Sequence, residues 1–237
     1  MHRVLIATLA VFAFAAPASA GAHDGGQRLP DAEIFATNNT AIITDPDDPR
    51  LQAPLIGFAR EVERIVRRGG GTPRGSELLD GVFFSSEMST TTFERSRDFH
   101  VDHVSDDELH AIAQAVRRRF EQESVLTFDH LPAADDEVNA IELEVPGVTA
   151  RALRDGLLAD QTAREELFGG SVTLDGQLLL VAELADAQLA RAFAERIGGD
   201  LRRAATRYGE REFVQAPAAA RSGRRALAMG EAVAGSG

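Results

Sequence analysis

Hydrophobic positions recur along the chain with two periods, one close to 3.6 residues and one of 2. Glu33–Thr44 (EIFATNNTAIIT) has apolar and β-branched residues on both sides of a polar centre and predicts an extended segment. The loop Asp45-Pro46-Asp47-Asp48-Pro49 ends it, because two prolines cannot continue a strand. Leu55, Phe58, Ala59, Val62, Ile65 and Val66 then form one helical stripe, which predicts a helix from about Gln52 to Arg68 stopped at Gly69-Gly70-Gly71. A loop through Pro73 and Gly75 leads to two strand-like runs, Gly81–Glu87 and Thr92–Val101. Ser105 with Glu108 forms a capping box ahead of a second stripe, Leu109, Ile112, Ala113, Val116 and Phe120. Ser124–His130 is a further strand.

The polar segment 132–137 (PAADDE) separates this half from a second with the same order of elements. In Asn139–Val145, Ile141, Leu143 and Val145 lie on one side and Glu142 and Glu144 on the other. Thr149 caps a helix carrying Leu153, Leu157 and Leu158, which runs to about Phe168 with a break at Asp160, and Gly169-Gly170 stops it. Asp175-Gly176 turns a hairpin between Ser171–Leu174 and Gln177–Leu184. A helix capped by Asp186 and a last strand, Thr206–Val214, complete the pattern. Both halves thus read βαββαβ. The fold expected is α+β: two tandem ferredoxin-like (βαββαβ) plaits at 33–131 and 138–215, joined by the linker 132–137 and able to share one packed sheet interface. One continuous α/β sheet is the alternative. The halves share pattern, not residue identity.

The ends read differently. Residues 1–20 pair a short basic start with an apolar run from Val4 to Ala16 and finish in Ala18-Ser19-Ala20, the pattern of a bacterial Sec-type signal peptide with an A-x-A cleavage site. The run is shorter than the ~20 residues that span a bilayer. The mature chain is therefore expected to be secreted and extracellular, with a flexible leader at 21–32 and a disordered, small-residue-rich tail at 216–237.

Composition then removes whole classes of chemistry. There is no Cys and no Lys among the 237 residues, so thiol nucleophiles, Cys-bound metals, Schiff-base lysines and Walker-type phosphate lysines are excluded. With 25 basic residues against 37 acids, the net charge of −12 argues against nucleic-acid partners and, after signal cleavage, against anionic membranes. His, Arg and carboxylates remain.

These concentrate between residues 92 and 130. His100, His103, His110 and His130 lie within 31 residues, interleaved with Asp102 and Asp129. Imidazoles and carboxylates so spaced can hold a divalent cation, and these six residues are the metal-site candidates. Against a single site, His100 and His130 would end strands that are not neighbours in a plait. Thr92–Val101 puts Arg95 and Arg97 on one strand face, where they could grip an anionic ligand. Pairing with Glu142, Glu144 or Glu87 is the structural alternative. The three acids of 45–48 lack a calcium-loop frame. No G-x-S-x-G elbow is present, and the glycine runs follow helices, as caps do and phosphate loops do not.

With no catalytic frame, the expected function is that of an exported, non-enzymatic α+β protein binding an unidentified small molecule or protein, with no cofactor. The alternatives are a metal-assisted or general acid–base enzyme using the His/carboxylate cluster at 100–130, and a secreted inhibitor or regulatory domain.

Overall fold

The computed structural model describes residues 30–39 and 41–215; the expected signal peptide, the expected leader up to residue 29 and the expected tail lie outside them. The two periodicities become eight strands and five α-helices among the described residues. In chain order these are β1 (Ala32–Thr37), α1 (Ile56–Arg68), β2 (Thr72–Ser85), β3 (Thr90–Asp102), α2 (Asp106–Arg119), β4 (Ser124–His130), β5 (Ala140–Pro146), α3 (Ala150–Ala159), α4 (Gln161–Glu166), β6 (Gly169–Thr173), β7 (Gln177–Glu183), α5 (Ala187–Arg196) and β8 (Ala205–Gln215). No described helix is long and apolar enough to cross a membrane.

Several helix ends follow the local signals read from the sequence, although α1 begins at Ile56 rather than near Gln52 and Asp186 makes no side-chain cap hydrogen bond ahead of α5. The Ser105 amide donates to the Glu108 carboxylate at 3.0 Å ahead of α2, whose last turn carries Arg117, Arg118 and Arg119 at the negative end of its dipole. The Thr149 hydroxyl accepts from the Ala152 amide at 3.1 Å. Asp160 ends α3 and its carboxylate accepts from Ala163 at 3.0 Å, opening α4.

The expected pair of plaits is overturned by how the strands join. All eight close into one antiparallel barrel in the order β1-β3-β2-β6-β7-β5-β8-β4, with β4 pairing back to β1. Two seams between the halves make this possible. Along one, β4 and β8 pair over seven residues, Ser124 opposite Gln215 through His130 opposite Gly209. Along the other, β2 pairs with β6 from Leu79–Thr173 to Phe83–Gly169. Closure removes the free edges that two separate sheets would expose. The region around Pro73 and Gly75, expected as a loop, is the first part of a 14-residue β2, with a bulge between those two residues. Gly169-Gly170, expected to stop a helix, open β6 instead. A Cβ on Gly169 would lie 2.3 Å from the Val82 carbonyl oxygen, so the seam needs glycine there.

The helices pack on the outside of the barrel in two apolar clusters. One joins α1 and α2 to the first half through Ile34, Phe58, Val62, Phe99, Ile112 and Val116. The other joins α3 and α5 to the second through Ile141, Leu143, Leu153, Leu157, Leu180 and Phe193. Strand side chains alternate, so each residue facing a helix leaves its neighbours facing the barrel axis. The inward set includes Glu33, Asp98, His100, Phe128, His130, Glu142, Glu144 and Arg207. On an open sheet such polar faces would meet water; in this barrel they meet one another.

Candidate functional site

Five consecutive strands of the barrel, β3-β1-β4-β8-β5, each bring chemistry to its interior. Glu33 on β1 stands opposite His100 on β3. Glu142 on β5 stands opposite Arg207 on β8. Between them Gly209 of β8 is the register partner of both His130 and Ala140. A Cβ on Gly209 would fall 2.0 Å from the Asp129 carbonyl oxygen and 2.7 Å from the Phe128 ring. Its hydrogen leaves room for that ring, which meets the His130 imidazole edge-on at 5.1 Å.

The cluster is buried and short of partners. Glu33, Asp98 and Glu142 are 2%, 2% and 1% exposed. Arg207 Nη1 lies 3.1 Å from Glu142 Oε2 and also donates to Glu144. His100 Nε2 lies 3.0 Å from Asp98 Oδ2. His130 Nε2 comes within 3.2 Å of Glu33 Oε1, but the two are not aligned as a hydrogen bond, and neither ring nitrogen has a partner. Glu33 Oε2, Asp98 Oδ1 and Glu142 Oε1 are likewise buried without partners. Unsatisfied buried polar atoms are rare in folded proteins and cost about 1–3 kcal/mol each, so five in one cluster mark a place built for something else.

Electrostatics agree. Four carboxylates face one guanidinium in this cluster, and burying an uncompensated charge costs several kcal/mol. Burial, and then the nearby Asp98 charge, push the Glu33 carboxyl well above its ordinary range. Burial and the Glu33 charge do the same to Glu142. Burial pushes His130 down, toward the neutral imidazole that can serve as a ligand or base. The hydrogen bond to Asp98 raises His100. The least buried of the cluster are His100, Glu144 and Arg207, whose side chains keep 34%, 26% and 19% exposure. Glu77 stands near His100 and Glu144, raised by burial and by Asp175.

Ligand-competent atoms of Glu33, His130 and Glu142 lie within 4.8 Å of one another, and so do those of Glu33, Asp98 and His100. Nitrogen and carboxylate donors together suit zinc, manganese or iron better than calcium or magnesium, which favour all-oxygen shells.

Of the residues singled out from the sequence, the structure brings together His100 and His130. The doubt about their strands falls away because β1 lies between β3 and β4 and carries Glu33. The other metal candidates sit elsewhere. Asp102 accepts from Arg74 Nη1 at 2.7 Å and from the Asp31 amide at 3.2 Å. His103 occupies an exposed turn at φ 54, its amide donating to Asp31 Oδ2 at 2.8 Å. His110 lies on the outer face of α2, 2.9 Å from Glu212. Asp129 faces outward from β4 into a cleft shared with Asp106, His110, Glu210 and Glu212; burial and then Asp106 push it up to about 6. The arginines are structural. Arg95 pairs with Asp80 and donates to the Ala53 carbonyl at 3.2 Å. Arg97 donates to Ser76 Oγ at 3.0 Å and to the Pro54 carbonyl at 3.1 Å, so the two fasten the segment ahead of α1 to the barrel.

Glu33, Asp98, Glu142, Glu144 and Arg207 were not among the sequence candidates. The alternation in 139–145 does place Glu142 and Glu144 on one face, and that in 92–101 places Asp98 with His100. What alternation does not tell is that both polar faces point into one enclosed space.

No protein-family model matches the chain, and no curated protein matches it. Among solved structures it is similar to one described as a "putative monooxygenase" from Lactobacillus acidophilus NCFM, at 13% identity over 79% of this chain and 97% of that one, with a TM-score of 0.25. A likeness at that score carries no argument about this chain.

Proposed function

We propose that the protein is a metal-assisted enzyme whose barrel interior holds a divalent cation of the zinc, manganese or iron kind through Glu33, His130 and Glu142. Its reaction class is the hydrolysis or hydration of a small substrate. One observation carries this reading: three donors whose ligand atoms lie within 4.8 Å of one another also hold buried atoms with no protein partner. Such a cation supplies Lewis-acid chemistry and lowers the pKa of water. The chain supplies the rest. Arg207 ties down Glu142 and Glu144 on β5, Phe128 supports the His130 ring, and the packed clusters on the outer face hold the strands that carry them.

This reading takes the enzyme alternative over the non-enzymatic one, because convergent His and carboxylate groups in an enclosed space are what a binding protein with an acidic surface does not need. The experiment is elemental analysis of the purified full chain and of Glu33→Gln. Stoichiometric metal in the parent, reduced at least tenfold in the variant with the fold retained by circular dichroism, supports the reading. A folded parent that takes up no zinc, manganese or iron on addition overturns it. Export remains part of the proposal: protein recovered from culture supernatant is expected to begin at Gly21.

A further inference from the structure

The donors in the barrel do not form one group. They form two, Glu33–His130–Glu142 and Glu33–Asp98–His100, which share only Glu33. A cation with bonds of ~2.1 Å reaches ligand atoms no more than ~4.2 Å apart, so one ion serves one group and leaves the other unserved. Each group is complete in kind, with two carboxylates and one imidazole. Each also contains its own buried atoms without partners: Asp98 Oδ1 in one, both His130 nitrogens and Glu142 Oε1 in the other. Glu33 is placed between them. Its Oε1 lies 3.2 Å from His130 Nε2, and on its other side β1 sets Glu33 in register opposite His100 of β3.

We infer that the barrel holds two divalent cations, bridged by the Glu33 carboxylate, with His130 and Glu142 completing one site and Asp98 and His100 the other. The inference rests on the metal-binding reading above and adds to it a second ion and a bridging residue. Charge admits it. The four carboxylates of the cluster, Glu33, Asp98, Glu142 and Glu144, together with Arg207 leave a deficit that one divalent ion undershoots by one unit and two overshoot by one, so donor geometry decides. Bridged ions in such centres sit ~3.5–4 Å apart and act together on one substrate, one holding the attacking oxygen and one the leaving oxygen. That arrangement extends the proposed hydrolytic class toward ester and phosphoester substrates. The exposed acidic group Asp106–Glu137–Glu210 on the outside has no such buried, unpartnered atoms and is not part of the site.

The test is a titration of chelator-stripped full-length protein with Mn²⁺, read by calorimetry for stoichiometry and by electron paramagnetic resonance for coupling between ions. Two equivalents per chain and an exchange-coupled spectrum are expected. Asp98→Asn and His100→Gln should each reduce binding to one equivalent and abolish the coupling, while Glu33→Gln should weaken both sites. His100 is the more exposed of the pair, so its variant stands in if Asp98→Asn fails to fold. One equivalent in the parent, unchanged in His100→Gln, overturns the second site and leaves the proposed function standing. No bound Mn²⁺ in the folded parent, with none of zinc or iron either, removes both.

Discussion

Glu94 offers a test of the barrel's interior that involves no metal. It points inward from β3, opposite Gly81 of β2, away from the cluster and with Ser96 as its hydrogen-bonding neighbour. Burial pushes its carboxyl up to about 7 from an ordinary 4.5, with the Ser96 contact opposing. The folded chain therefore keeps a proton that the unfolded chain has already released. For an acid raised in this way, stability is lost as pH climbs from about 4.5 to about 7 and is constant outside that window. Each pKa unit corresponds to about 1.4 kcal/mol, so the whole loss is about 3 kcal/mol at most, since Glu94 retains some contact with solvent. Glu94→Gln removes this one titration and keeps the shape of the neutral acid. Urea unfolding of parent and variant at a series of pH values from 4.5 to 8, with chelator present, gives a difference in which other ionisable groups cancel. The variant should match the parent near pH 4.5, gain on it with rising pH and level off above 7. A difference that stays flat across the range would refute the reasoning that Glu94 lies in a poorly solvated interior.

Three further outcomes follow from particular contacts. Gly209→Ala should destabilise the fold by about 2 kcal/mol or more in thermal or urea unfolding, because the added methyl meets backbone at the β4–β8 seam and cannot be relieved by a side-chain rotation. His103→Ala and His110→Ala should leave bound metal unchanged in elemental analysis, since both rings lie outside the barrel; loss of metal in either would place the site wrongly. Arg95→Met should lower stability by about 1–3 kcal/mol, by leaving the Ala53 carbonyl and Asp80 without their donor, while metal stoichiometry is preserved.

Much of the local structure is legible in the sequence. The stripe from Leu109 to Val116, the caps at Ser105 and Thr149, the break at Asp160 and the 175–176 hairpin turn all appear where the pattern puts them. These depend on neighbours a few residues away. The barrel does not. Whether β2 ends at a free edge or continues into a ladder with β6 depends on residues about 90 positions apart, and nothing in the run around Pro73 and Gly75 announces a strand. The site was half legible for the same reason. His100 and His130 stand out because histidine is scarce here, whereas Glu33, Asp98 and Glu142 are three acids among 37 and look like solvated ones until closure encloses them. Arg95 and Arg97 misled in the opposite sense: their alternation is real, but it faces the segment before α1.

The β4–β8 seam has a consequence for the order of events as the chain folds. Glu33, Asp98, His100 and His130 belong to the first 130 residues, whereas Glu142 and Arg207 come later, and Arg207 lies on β8, the last strand among the described residues. Contacts so distant in sequence form late, after their loop-closure entropy has been met. A chain that has not yet placed β8 has an open sheet with its carboxylates in water, where they ionise at ordinary pH and hold cations weakly. Only the final strand encloses them. On the proposed metal-binding reading, loading of the interior is thereby coupled to the placement of β8, and a chain truncated before it would lose its metal affinity together with the β4–β8 and β5–β8 hydrogen bonds.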